Sequence, residues 1–441
     1  MTLSNRVKQL KELVGSSFWF VPLMIIFAAI LLATALVIID TQFKEELSEV
    51  AGFLFSGGAE SARSILSIIA GGMLGVAGTV FSITLVVLTL ATSQLGPRLL
   101  QLFMHQRINQ IVLGTYVATF VYCLLVLGTI NSINEVEFVP RISVLMAMLL
   151  AVANIFLLIV FIHHISVSIQ ADQVIADVAE NLNDTVRHLY PEKLGVDADE
   201  LEDSVDLSAY QAEYDHCFEV LASRGGYLQT IDNDTLVDWA VKEEVWMELY
   251  LRPGDFVIED MPIARMYSKK KRKDIDWSKE LEKHFYLGDK RTPWQDSEFA
   301  VHQMVEVAAR ALSPGVNDPY TAITCIDKLT SVLAYLGKAQ FPSPYRMDED
   351  GQLRVVARTL DFEGMLDAAF NQIRQFGADS PSVIIRLMDR LVTLHQVTDQ
   401  PKAMRAILRH ARMVHRAGQT HLKEPNDRRD LQKRYLRFQE K

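Results

Sequence analysis

Cysteine is scarce in this sequence of 441 residues: Cys123, Cys217 and Cys325 are odd in number and far apart. No metal or redox spacing exists among them, so reduced, structural thiols are expected rather than a disulfide framework or a zinc site. Charge is absent where the chain is most apolar. Between Arg63 and Arg98 run thirty-four residues, SILSIIAGGMLGVAGTVFSITLVVLTLATSQLGP, without one charged side chain. Nor does any Asp, Glu, Lys or Arg fall inside the other three long apolar segments. Ion- or proton-coupled transporters hold such groups within the membrane, and no inverted repeat runs across the spans, so coupled transport is disfavoured. A P-loop, a nucleophile elbow and a His-Glu-x-x-His pattern are all missing. The expectation is therefore no enzyme, with no catalytic residue, cofactor or metal. Basic residues are outnumbered, 44 against 54 acidic, for a formal charge of −10. Nucleic acid as a partner needs a concentrated basic face and is not expected.

What the chain does have is four apolar segments, roughly Phe18–Ile39, Ser64–Ser93, Ile108–Ile130 and Ile142–Ile169. Each is long enough to cross a bilayer as a helix, which takes ~20 apolar residues. Ala33-Thr34-Ala35 looks like a signal cleavage site, but the apolar run continues to Ile39 and three more spans follow, so an uncleaved anchor is expected. The amino end carries Arg6, Lys8 and Lys11, and the second loop Arg98 and Arg107; the first and third loops are acidic. Basic loops stay cytoplasmic, which places both termini inside. Arg6–Leu13 reads as a short interfacial piece with Phe18, Trp19 and Phe20 as aromatic anchors. Residues 1–170 hold eight basic and eight acidic residues, so the whole negative balance lies in the remainder.

In the second span Gly71, Gly75, Gly78, Ser82 and Thr89 fall on one helical face. A seam of small and hydroxyl residues packs closely against another helix or lines a polar path. Gly96-Pro97 follows as a hinge or an ordinary loop start. The third span repeats the small-residue habit at Gly114 and Ala118, with Thr115 and Thr119 beside them. Asn154 sits near mid-span, where an interhelical hydrogen bond is favoured over a ligand role. His163 and His164 are adjacent near the inner end and cannot share a helical face.

The sequence thus describes a mainly α membrane protein: four transmembrane helices, then a cytoplasmic part with a small β-barrel or sandwich and a helical bundle. The boundaries are 1–170 for the membrane domain, 171–216 for a cytoplasmic helix and acidic linker, 217–268 for the β domain and 274–441 for the helical domain. In the β domain, alternating runs are broken by Gly225-Gly226, Asn233-Asp234 and Arg252-Pro253-Gly254-Asp255, the last a good type II turn. The run Lys269, Lys270, Lys271, Arg272, Lys273 is either a solvated loop or a contact with anionic lipid, at roughly 1 kcal/mol per basic residue.

The stretch Arg310 to Ala322 reads RALSPGVNDPYTA. Gly315 suits a left-handed position after a helix, Asp318 an N-cap and Pro319 the first helical residue. It is a tight helix connection, or a site in which Arg310, Ser313, Asn317, Asp318 and Thr321 gather hydrogen-bonding groups beside a helix amino end. This stretch resembles the signature of the DUF2254 family of bacterial membrane proteins. TLATSQLGPRLLQLFMHQRINQIVLGTYVATFVYCLLVL, GGYLQTID, RPGDFV and RTPWQDSEFA are similar too, and together they cover most of residues 60–330. The resemblance implies an integral inner-membrane protein with a cytoplasmic domain and no established activity.

Three functions follow from these residues. The first is an oligomeric channel or passive transport protein whose second span lines or gates the path under a cytoplasmic regulatory domain. The second is a non-conducting membrane scaffold or sensor, since Gly71-Gly-Met-Leu-Gly75 matches a helix-association pattern. The third and weakest is a membrane-tethered enzyme working at the Arg310–Thr321 loop.

Overall fold

The computed structural model describes residues 19–42, 57–95, 107–130, 138–168, 170–190, 207–269, 275–339 and 341–438. The chain divides into two compact units, Met1–Gln173 and Val174–Lys441.

The first unit holds four helices: α1 (Phe20–Gln42), α2 (Ala59–Leu95), α3 (Arg107–Thr129) and α4 (Arg141–Ser168). All four are long and apolar enough to cross a membrane, as the four apolar segments predict. Helix α3 makes the most extensive contacts with the other three, so it is the centre of the bundle. Its contact with α1 depends on Gly114, because a methyl group there would sit 2.8 Å from the Cα of Pro22. At ~1.5 Å per residue, the 37 residues of α2 make a rod of about 55 Å, well beyond a hydrocarbon core of ~30 Å. It begins earlier than the apolar run suggests and takes in Glu60 and Arg63.

Two charged side chains close helix ends at one end of this bundle. Asp40, at the end of α1 and buried, accepts from the backbone N–H groups of Ile142 (3.1 Å) and Ser143 (3.0 Å) and from the Ser143 hydroxyl (2.7 Å). A carboxylate there satisfies the orphan donors and the positive end of α4. Arg63 donates to the carbonyl of Ile130 (3.0 Å), just past the end of α3. Cations belong at that end of a helix.

The boundary falls in the first turn of α5 (Ala171–Leu189), an amphipathic helix ending before Pro191 as its periodicity predicts. After α6 (Leu207–Ala212) come β1 (His216–Leu221), β2 (Gly226–Ile231), α7 (Asn233–Glu243), β3 (Val245–Leu249), β4 (Phe256–Val257), β5 (Pro262–Ser268), α8 (Trp277–Glu282) and β6 (Phe285–Gly288). The hairpin β7 (Tyr345–Met347) and β8 (Leu353–Val356) then interrupts a helical series. That series is α9 (Ser297–Ala311), α10 (Pro319–Leu336), α11 (Phe362–Phe376), α12 (Pro381–Val397), α13 (Pro401–His421) and α14 (Pro425–Leu436).

The strands form two open sheets, ordered β1-β5-β3-β8-β7 and β4-β2-β6. Strands β1 and β3 pair antiparallel with β5, and Met247 faces Val355 where β3 meets β8 in parallel. A parallel pair needs a long crossover, and here it spans α8 through α10. The β region therefore draws strands from well beyond residue 268. Asn233-Asp234, which reads as a turn, opens α7 instead: Asp232 caps it by accepting from the backbone N–H of Thr235. Two buried clusters flank the larger sheet, one with Met247, Met266 and Val355, the other with Trp246 stacked on Tyr267 at 4.1 Å.

Candidate functional site

Gly71, Gly75, Gly78, Ser82 and Thr89 share one face of α2 and are all exposed. A methyl group built on any of the three glycines would meet nothing within 4 Å. The packed side of α2 carries Ala62, Leu66, Ala70, Ala77 and Val80 instead. Among the described residues, the small residues are therefore not used in packing. Thr89 donates its hydroxyl to the carbonyl of Leu85 (2.9 Å), and Thr79 donates to that of Gly75 (3.1 Å). A threonine bonded this way shows an oxygen lone pair and a methyl group outward. Gly96 and Pro97 lie outside the described residues, as do Arg6–Leu13 and Phe18.

The mid-span polar residue is inside the bundle. Asn154 is fully buried, donates from Nδ2 to the Thr119 hydroxyl (2.8 Å), and accepts the Tyr116 hydroxyl on its backbone carbonyl (2.6 Å). That is the interhelical hydrogen bond its position predicts. His163 is exposed and His164 only partly so.

The loop between α9 and α10 is closed by its own hydrogen bonds. Ser313 donates its hydroxyl to the Arg310 carbonyl (2.7 Å), and the backbone N–H of Asn317 donates to the Ser313 carbonyl (2.8 Å). Asp318 caps α10, accepting from the N–H groups of Tyr320 (3.1 Å) and Thr321 (3.2 Å) and from the Thr321 hydroxyl (2.6 Å). The Thr321 hydroxyl and these N–H groups hold its carboxyl below the usual aspartate range. Arg310 lies 3.6 Å from Glu306 one turn back. The left-handed residue is Asn317, at φ 50°, and not Gly315. The change of handedness is needed directly before the cap, and asparagine tolerates it better than most residues. Val316 and Tyr320 project outward, the latter 77% exposed.

Of the basic run, Lys269 is described and the other four residues are not. It lies 3.7 Å from Glu213 and over the Tyr214 ring. Cys217 is exposed, whereas Cys123 and Cys325 are buried, and all three are free thiols. Burial pushes the Cys325 thiol up to about 12. Among the described residues no group of three or more His, Cys, Asp or Glu is arranged to hold a metal ion.

One site escapes sequence reasoning. GGYLQTID, RPGDFV and RTPWQDSEFA, far apart in the chain, meet around a cavity of about 210 Å³. Their junction is tightly built. Gln295 exchanges two hydrogen bonds with the backbone of Ile231 (2.9 and 3.1 Å). Arg291 grips Asp296 with two (2.7 and 2.9 Å), and Arg252 bonds Glu298 (2.7 Å). Burial works against the Arg291 charge, but the Asp296 carboxylate more than offsets it and holds the guanidinium above its ordinary range. Gly254, at φ 101° in the predicted type II turn, lets the chain pass so close to Asp296 that a methyl group would come within 2.7 Å of its Cγ. Arg346 reaches the same cavity from β7, and Leu189 and Tyr190 from the end of α5. The clue in sequence was the number of Arg, Asp and Gly residues in short turns; nothing in it indicated that the turns converge, or that Arg346 joins them.

The comparisons agree on kinship. Uncharacterized proteins of Mycobacterium tuberculosis (strain CDC 1551 / Oshkosh) and Mycobacterium bovis are each 29% identical over 434 residues, covering 97% of this chain and 81% of theirs. No solved structure matches. A family described as "Predicted membrane protein (DUF2254)" matches residues 15–393. With four membrane-length helices at its amino end and most of its length matched, this chain is a member of the DUF2254 family of membrane proteins.

Proposed function

We propose that this protein assembles as a homo-oligomer in the bacterial inner membrane and provides a passive channel, with the outward face of α2 lining or gating the path. The observation that carries the proposal is the exposed row Gly71, Gly75, Gly78, Ser82 and Thr89, whose three glycines face open space among the described residues. Small residues let neighbouring helices approach closely or leave room for a solute, and outward lone pairs such as that of Thr89 suit a polar path. Both termini are cytoplasmic in this reading, because the basic loops lie on that side. The second unit is then the regulatory part. No reaction is assigned to the Arg310–Thr321 loop, where the hydroxyls of Ser313 and Thr321 and the Asp318 carboxylate are engaged within its own turn and cap.

A non-conducting scaffold is the alternative. The hydroxyl of Thr89, and that of Thr79 beside the row, donate to carbonyls of their own helix, which leaves the face with few free donors for a permeant species. Reconstitution in liposomes separates the two. A channel gives ion or solute flux under tension, voltage or ligand, and Ser82→Cys becomes accessible to a water-soluble thiol reagent. Absence of flux, with Ser82→Cys protected but crosslinked between copies, selects the scaffold.

A further inference from the structure

We propose that the cavity between β7, the Arg252–Asp255 turn and the start of α9 binds a compact ligand bearing one phosphate or carboxylate group, with Arg346 as its charge partner. At about 210 Å³ the cavity far exceeds the ~10–15 Å³ a water needs but falls below the ~300–1,000 Å³ of sites for drug-sized ligands. Its lining carries three guanidinium groups, Arg252, Arg346 and Arg358, and a partly apolar wall that includes Ile231 and Leu360.

Their partners decide what is left for a ligand. Arg252 is matched by Glu298 at 2.7 Å. Arg358, largely exposed, lies 3.7 Å from Asp255 and donates to the Tyr250 carbonyl. Asp296, the carboxylate on the lining, is held by Arg291. Arg346 is different. Among the described residues only its Nη1 is engaged, donating to the backbone carbonyls of Ser343 and Tyr345, and no carboxylate pairs with it. It is part-buried, and loss of water lowers its hold on its proton.

A charged group withdrawn from water without a counter-charge is costly, and a bound anion removes that cost. The free edge of the guanidinium offers a planar donor fork suited to two oxygens of one acid group. Counting Arg252, Arg291, Arg346 and Arg358 against Asp255, Asp296 and Glu298 leaves one positive charge over. That balance favours a single acidic group and disfavours a polyphosphate. Asn233 and Thr359 also line the cavity and supply neutral polar groups. Binding here does not depend on whether the membrane unit conducts.

The test is calorimetric titration of the full-length protein in detergent micelles at fixed ionic strength. Inorganic phosphate, glycerol 3-phosphate and lactate form separate arms, with chloride as the balancing salt. Saturable binding in at least one arm is expected, and the stronger arm identifies the acid group. Arg346→Gln lowers that affinity at least tenfold while leaving the unliganded Tm equal or higher. Arg346→Lys, which keeps the charge and the volume, lowers it less. Exposed Arg358→Gln costs a few-fold, and the remote surface change Arg405→Gln costs nothing. The proposal is overturned if no arm shows saturable binding, or if Arg346→Gln binds as tightly as the unaltered protein.

Discussion

His410 is fully buried on α13, facing α11, with its Nε2 at 2.8 Å from the Asp367 carboxylate and no partner for Nδ1 among the described residues. Arg409 bonds the same carboxylate at 2.6 Å. Burial pushes His410 down to about 4, against the attraction of Asp367 and with the help of Arg409 and Arg374. The ring is therefore neutral at pH 7 and donates from Nε2. An unfolded chain takes up a proton on this residue near pH 6.5, whereas the folded chain does so only near 4. The unfolded state thus binds more protons between these values, and stability falls as pH is lowered through that window, by up to about 3 kcal/mol. Asp367 adds loss of the same sign at lower pH: burial raises its pKa, but Arg409 and His410 outweigh it and hold the carboxyl below its ordinary range. Thermal melts from pH 7 to 4.5 should show a declining Tm, and His410→Gln, which keeps a donor toward Asp367, should flatten the decline. Equal slopes for both proteins would remove His410 as the cause.

At the scale of single elements, two glycines on neighbouring helices behave oppositely. Gly114 touches Pro22 so closely that any side chain forces α1 and α3 apart, whereas Gly75 faces open space. Gly114→Leu should destabilise the four-helix unit by about 1–3 kcal/mol, as overpacking at a close contact does. Gly75→Leu should leave each copy folded and change the size of the assembly or its flux. Circular dichroism with size-exclusion chromatography reads both; a folded, normally assembled Gly114→Leu protein would contradict the packing. The sequence gives both glycines the same appearance, because spacing shows which residues share a face and not which neighbour that face meets. Helices were legible for a related reason: each of α1 through α4 contains a long run free of charged residues, and Pro381, Pro401 and Asp318 punctuate the later ones. The hairpin β7–β8 was not, being only three and four residues to a strand and dependent on Met247 and Glu248 for its pairing.

For the whole molecule, the division into Met1–Gln173 and Val174–Lys441 predicts unfolding in two steps. Four of the five tryptophans, Trp239, Trp246, Trp277 and Trp294, belong to the second unit. In detergent, urea should complete the tryptophan fluorescence change while much of the far-ultraviolet helical signal persists, because micelle-enclosed helices keep their backbone bonds. One coincident transition would show the units to be coupled. The cavity was the part of the molecule hidden from sequence, since it is made where three turns and a distant strand meet.

The crossed caps at the bundle end bear on how the chain is built into a membrane. Synthesis delivers the amino-terminal spans first. Asp40 and Arg63 are thus waiting when the ends of α3 and α4 arrive, and each later helix finds its terminal partner already in place. A nascent chain halted after α3 leaves Asp40 without the two N–H groups and the hydroxyl that it holds in the finished bundle.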